Sequence, residues 1–188
     1  LGIALFLAAL TRQSGNKDYL QAGLSGISNL LESAGRAATV RMLMAPGLGC
    51  GTGVGSAIYG LVQLARISGQ DHLADVARDI FYRVEAHRSS GTLSTTKADY
   101  GLSTGLSGYV NACLALDQHY PGDARVQRTL EDCAARIVTA AVPDQAGGVY
   151  WPSPYGPGVY GFAHGSAGVA TVLMRAARHL QDTQLWDY

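Results

Sequence analysis

Four glycines, Gly2, Gly55, Gly108 and Gly168, each open a run of about fifteen residues rich in Ala, Leu, Val and Ile, and successive glycines stand 53, 53 and 60 residues apart. Self-similarity at such a period marks a supersecondary unit that cannot bury its apolar face alone, which restricts the fold to arrays or rings of that unit. Eighteen residues after each glycine stands an apolar residue, Leu20, Leu73, Val126 or Trp186, so the phase holds through all four units. The glycine-led run carries few charges and closes near a polar turn, SGNKD, SGQD or YPGD. A helix that is apolar nearly all round is predicted to be buried.

The aspartate of each turn, Asp18, Asp71 or Asp123, precedes a more charged stretch: YLQAGLSGISNLLES, HLADVARDIFYRVEAHR or ARVQRTLEDCAARIVTAAV. In the second of these, Leu73, Val76, Ala77 and Ile80 recur at spacings of three and four, with Asp75, Arg78 and Asp79 between them. That is the pattern of an amphipathic helix lying outside the buried one. Alternation of the two kinds predicts an all-α fold with concentric inner and outer helices, an α/α toroid; solenoid repeats of roughly 33 to 47 residues are shorter. Residues 1–188 read as one domain, an incomplete toroid of about three and a half helical hairpins. It is expected to be truncated at both ends, because LGIALFLAAL begins in mid-helix and LWDY stops where a new helical pattern starts. The seven extra residues of the last step fall in DQAGGVYWPSPYGPG, where Pro152, Pro154 and Pro157 forbid a continuing helix. A loop or a short hairpin is expected there, just before His164.

Composition narrows the partners. Lys plus Arg balance Asp plus Glu at 14 each, so no excess of positive charge attracts nucleic acid or an anionic membrane, and small molecules or peptides remain. LGIALFLAAL is too short for a transmembrane segment and lacks the basic region and cleavage site of a signal peptide. Cys50, Cys113 and Cys133 are odd in number and widely spaced, with no Cys-x-x-Cys, as expected of reduced, buried thiols in a cytoplasmic protein.

The segments leading into the buried helices share a composition: PGLGCGTGVGS, YGLSTGLSG and YGFAHGSAG. In a toroid these helix starts meet at one end of the central cavity, where glycine allows close backbone approach and helix N-termini offer unpaired N–H groups. Gly101-Leu102-Ser103-Thr104-Gly105 matches the G-x-S-x-G elbow of serine hydrolases, but the polar SSGTLSTTKAD before it is no buried strand. GLGCGTGVGS fits neither nucleotide-binding glycine spacing. His164 is what the other entrances lack; the place opposite it in the second is read as Leu102. Ser166 already supplies a helix cap, so the histidine is not needed as one. A helix N-terminus favours the neutral imidazole, available as base or hydrogen-bond donor. The alternative is a partly buried histidine bonded to a loop carbonyl.

Taken together, GFAHGSAGVATVLMRAARHL, the WPSP loop, GTGVGSAIYGLVQLARISG and GLSGYVNACLAL resemble the lanthionine synthetase C-like family, and most of all the cyclase domain of bifunctional class II lanthipeptide synthetases. The likeness covers essentially the whole chain. It implies an α/α toroid and a zinc-dependent cyclase of lanthipeptide (bacteriocin) biosynthesis. Such an enzyme adds peptide cysteine thiols to dehydroalanine or dehydrobutyrine and so forms thioether rings. The implied partners are a dehydrated precursor peptide and an N-terminal dehydratase domain in the same chain. The acid/base histidine of the family's G-x-x-H-G block falls on His164, the one catalytic residue carried over. The family's zinc ligands lie C-terminal to that block, in segments beyond residue 188, so Cys50, Cys113 and Cys133 are not carried over as ligands and the segment alone is expected to be inactive. The family's aspartate aligns with Gly101. Asp99, two residues upstream, either bends toward the cavity or is a solvated loop carboxylate. Two other functions stay open: a non-catalytic toroid that binds peptides or thiols, and an α/α-toroid glycosidase. The glycosidase needs two carboxylates about 5 to 9.5 Å apart, for which Asp99 and Asp144 are the acids near the cavity end.

Overall fold

A computed structural model describes residues 1–89, 99–145, 147–156 and 159–182. Trp186, Pro157 and most of SSGTLSTTKAD lie outside these residues. The chain folds as α1 (Gly2–Ser14), α2 (Lys17–Ser25), α3 (Ser28–Ser33), α4 (Ala37–Met44), α5 (Val54–Ser68), α6 (His72–Ser89), α7 (Leu106–His119), α8 (Ala124–Thr139), β1 (Val142–Pro143), β2 (Val149–Tyr150) and α9 (Ser166–Leu180). The strands form a small antiparallel hairpin, Val142 opposite Tyr150 and Pro143 opposite Val149, inside the proline-rich insertion. The fold is all-α.

Helices α1, α5, α7 and α9 pack side by side as an inner row, and α2, α6 and α8 each back onto the inner helix that precedes them. This is the inner and outer alternation that the repeat predicts. In α7 every residue from Leu106 to Asp117 is buried, while α6 buries Leu73, Ala77 and Ile80 and exposes Asp75. Helix α8 buries Val126, Leu130, Cys133, Ala134 and Ile137 at helical spacing. Each large aliphatic side chain withdrawn from water in this way contributes about 1.5–3 kcal/mol. A polar cluster ties the layers: Glu85 Oε1 accepts from the Tyr109 hydroxyl at 2.7 Å and from Arg88 at 2.8 Å, and Oε2 accepts from Thr129 Oγ1 at 3.0 Å. Burial pushes the Tyr109 hydroxyl and the Cys113 thiol well above their usual ranges, and that of Cys133 up to about 11, so both thiols are inert core groups.

Three features depart from the expectation. The first outer segment is not one helix: it breaks at Gly26 and Ile27 into α2 and α3, where glycine and serine weaken helix propensity, and α4 follows before the chain turns inward. Helix α1 is not buried all round: Ala4 and Ala8 are covered, but Ile3 is 78% and Phe6 65% exposed. Its main neighbours are α2 and α5, which leaves one apolar face uncovered among the described residues. The inner helices begin at Val54, Leu106 and Ser166, so Gly55 is the second helical residue whereas Gly108 and Gly168 are the third. The glycine alignment is therefore one residue out of structural register in the second unit. None of the described helices is long and apolar enough to cross a membrane.

Candidate functional site

The loops entering α5, α7 and α9 close with the same backbone bond. The first amide of each helix donates to the carbonyl seven residues earlier: Val54 to Gly47 at 3.2 Å, Leu106 to Asp99 at 2.9 Å and Ser166 to Val159 at 3.0 Å. With that amide satisfied, the cap residues Gly53, Gly105 and Gly165 use no side-chain bond. Ser166 is consequently not a cap: it is the first residue of α9, and its buried Oγ has no hydrogen-bond partner. The tight closure also explains the anchor glycines. A Cβ at Gly108 would stand 2.2 Å from the Leu102 carbonyl oxygen, and one at Gly168 only 1.9 Å from that of Phe162. Gly2, by contrast, has nothing within 4 Å of such an atom.

Backbone bonds join the three loops to one another. Gly51 donates to the Ser103 carbonyl at 2.9 Å, and Ser103 in turn to that of Ala163 at 2.7 Å, while Cys50 donates to Leu102 at 3.0 Å. This register sets Thr52, Thr104 and His164 at one equivalent place, immediately before the cap glycine. The residue opposite His164 is therefore Thr104, not Leu102: both stand four residues before their anchor glycine, and the closing bonds fix the same register.

The second entrance is closed on itself. Asp99 Oδ1 accepts from the Gly101 amide at 2.9 Å and Oδ2 from Thr104 Oγ1 at 2.5 Å. The half-buried carboxylate is not a solvated loop group; it braces the turn that starts α7. Asp144 Oδ1 accepts from the Gly148 amide at 3.2 Å, within the β1–β2 hairpin. Both acids hold their own loops, which is not the arrangement of a glycosidase pair.

The third entrance carries His164, half-buried, with Nδ1 sealed from solvent and lacking any hydrogen-bond partner. The expected bond to a loop carbonyl is thus absent at Nδ1. The imidazole instead meets the ring of Tyr155, centroids 4.6 Å apart and planes at 58°. Behind it, the His164 Cα lies 3.1 Å from where a Cβ on Gly101 would be, so the second and third entrances touch at the histidine. Buried polar atoms normally have a partner, so the bare Nδ1 sets His164 apart from the bonded Thr104.

Two side-chain links carry no signal in the sequence pattern. Cys50 Sγ donates to the Gly108 carbonyl at 2.8 Å and accepts from Asn111 Nδ2 at 3.3 Å, while Asn111 Oδ1 accepts from Arg175. His179 Nε2 lies 2.6 Å from Asp117 Oδ2, pairing α9 with α7. Tyr155 is likewise silent in the sequence, since an exposed tyrosine in an irregular loop carries no periodic signal.

The zinc implied by the resemblance does not fit the described residues. No three of their His, Cys, Asp and Glu side chains cluster as a metal site. The Cys50 thiol is bound to a carbonyl and an amide, with its pKa raised by burial, and Cys113 and Cys133 lie in the core. No curated protein matches the chain. The model of one protein family does, over residues 1–187, and the helical architecture and the glycine-led entrances stand within that span. The chain belongs to the lanthionine synthetase C-like protein family.

Proposed function

We propose that this chain is part of a lanthionine cyclase domain in which His164 moves the protons as a peptide cysteine adds to dehydroalanine or dehydrobutyrine. The observation that supports this reading is the buried, unpartnered Nδ1 of His164, at a place where the neighbouring entrance holds a threonine bonded into its own loop. The reaction needs two proton movements. The thiol loses its proton and the sulfur bonds to the β-carbon; the double-bond electrons pass onto the carbonyl as an enolate, and the α-carbon then takes a proton. A cysteine thiol ionises near pH 8.5, so only a few per cent is thiolate at neutral pH and activation is required. A positioned imidazole acting as acid or base contributes about 10²- to 10⁴-fold.

The same proposal makes the substrate a dehydrated precursor peptide of class II type. It places the protein in the cytoplasm, a dehydratase domain ahead of residue 1, and the ligands of a thiol-activating zinc beyond residue 188. A second reading, a peptide-binding toroid without catalysis, draws support from Asp99, whose carboxylate is used within its own turn.

The test is ring formation by the full-length protein on a dehydrated, cysteine-containing peptide, followed as loss of alkylatable thiol by mass spectrometry. His164→Asn is expected to slow that loss by about 10²-fold or more, with peptide binding retained. Binding of the peptide by the wild type with no loss of thiol would select the second reading.

A further inference from the structure

The longest inter-repeat step and the histidine occur in the same unit, and the two features touch. The geometry points to Tyr155, at the tip of the insertion, as the positioning residue of His164, its ring packed against the imidazole and restraining its orientation; this rests on the reading of His164 as the acid/base group.

The insertion is built to hold that ring in place. It leaves α8 through the β1–β2 hairpin and is pinned by Trp151, 3% exposed, whose Nε1 donates to the Ile137 carbonyl of α8 at 2.7 Å. Ser153 to Gly156 then form a tight turn: the Gly156 amide donates to the Ser153 carbonyl at 3.1 Å and the Tyr155 amide to Ser153 Oγ at 3.3 Å. Pro154 presets the first central position of that turn, and Gly156 takes φ +115°, which a side chain would resist. Tyr155 is 63% exposed, so its burial contributes little to the fold, yet its ring packs against the imidazole. The backbone of His164 rests against the second entrance near Gly101, and its side chain meets an aromatic ring. In the second entrance, Thr104 at the matching place is fixed by a hydrogen bond to Asp99; the histidine has no such bond at Nδ1, and the tyrosine supplies the restraint instead.

Carbethoxylation of His164 by diethyl pyrocarbonate in the full-length protein reads this contact without reference to ring formation. Tyr155→Ala is expected to speed labelling of the His164 peptide about two- to tenfold, the range an aromatic pair is worth, and Tyr155→Phe to restore the slow rate. Helix content and melting temperature serve as the folding control. In the cyclisation assay the alanine variant should lose kcat by a similar factor with KM little changed. Labelling of Tyr155→Ala at the wild-type rate overturns the proposal. An inactive-site reading of His164 would show separately, as full activity in His164→Asn.

Discussion

The second and third entrances have one backbone and opposite chemistry. Both close by a bond from the first helical amide to the residue seven places back, both place a glycine at the cap, and both rest an anchor glycine against their own loop. In the second, Asp99 and Thr104 satisfy each other across the turn; in the third, the same two places hold Val159 and His164, and the imidazole Nδ1 is left without a partner. The loop thus owes its shape to main-chain bonds and glycine. The side chain before the cap is free to vary, and in one unit of the repeat it is a histidine. A group left unsatisfied where its counterpart is satisfied is a better pointer to function than the glycines around it.

The largest effect is expected from striking at what the loops share. Gly168→Ala and Gly108→Ala should each destabilise the fold by about 3 kcal/mol, the upper end of ordinary overpacking, because both contacts are with backbone that cannot rotate away. Urea unfolding measures this, and tolerance of one but not the other would break the equivalence of the loops. Asp99→Ala strikes at what the second loop has alone: it strands the Gly101 amide and the Thr104 hydroxyl and should cost about 1–2 kcal/mol in the same assay. Val159→Ala, at the matching place, should cost less. Next comes a contrast of helix starts. Asp123→Ala, which removes a true cap from α8, should lose about 1 kcal/mol, whereas Ser166→Ala should be neutral or slightly stabilising, since its hydroxyl caps nothing.

The smallest effect is on acid stability. Burial works to raise the Asp123 carboxyl, but bonds from the Tyr82 hydroxyl and from the Val126 and Arg125 amides outweigh it and hold the pKa below the usual carboxylate value. A depressed carboxyl stabilises the fold above its unfolded pKa and loses that contribution as pH falls through the folded one. Melting temperatures of wild type and Asp123→Asn should therefore differ near neutrality and converge below about pH 3, by an amount kept small by the exposure of the pair.

The repeat made the two helical layers legible, because burial of alternate helices is written into composition: α7 has almost no charge, α8 carries its charges on one face, and α6 does so apart from Glu85 and Arg88, which join the contact between layers. The anchor glycines were legible for the same reason, as positions where a side chain has no room. The break at Gly26 and the short helix α4 were not, since neither repeats in another unit. Thr104 and His164 each stand four residues before an anchor glycine, so their equivalence was legible; only Thr52, beside the displaced Gly55, needs the hydrogen bonds to be placed. Ser166 looked like a cap because its residue type and place were right; the closing carbonyl of Val159 had already taken the amide. His164 stood out as a type with no structural reason to be there. Tyr155, nine residues earlier in an aperiodic loop, became visible only when the turn at Ser153 to Gly156 laid it on the imidazole.

The most direct test makes the third entrance resemble the second. In the full-length protein, the rate of thiol loss from a dehydrated cysteine peptide is compared between wild type and His164→Thr. The expected result is a fall of about 10²-fold or more with an unchanged melting temperature, because the backbone, not the histidine, holds the loop. A His164→Thr protein that closes rings at the wild-type rate would show that the histidine moves no proton in the reaction.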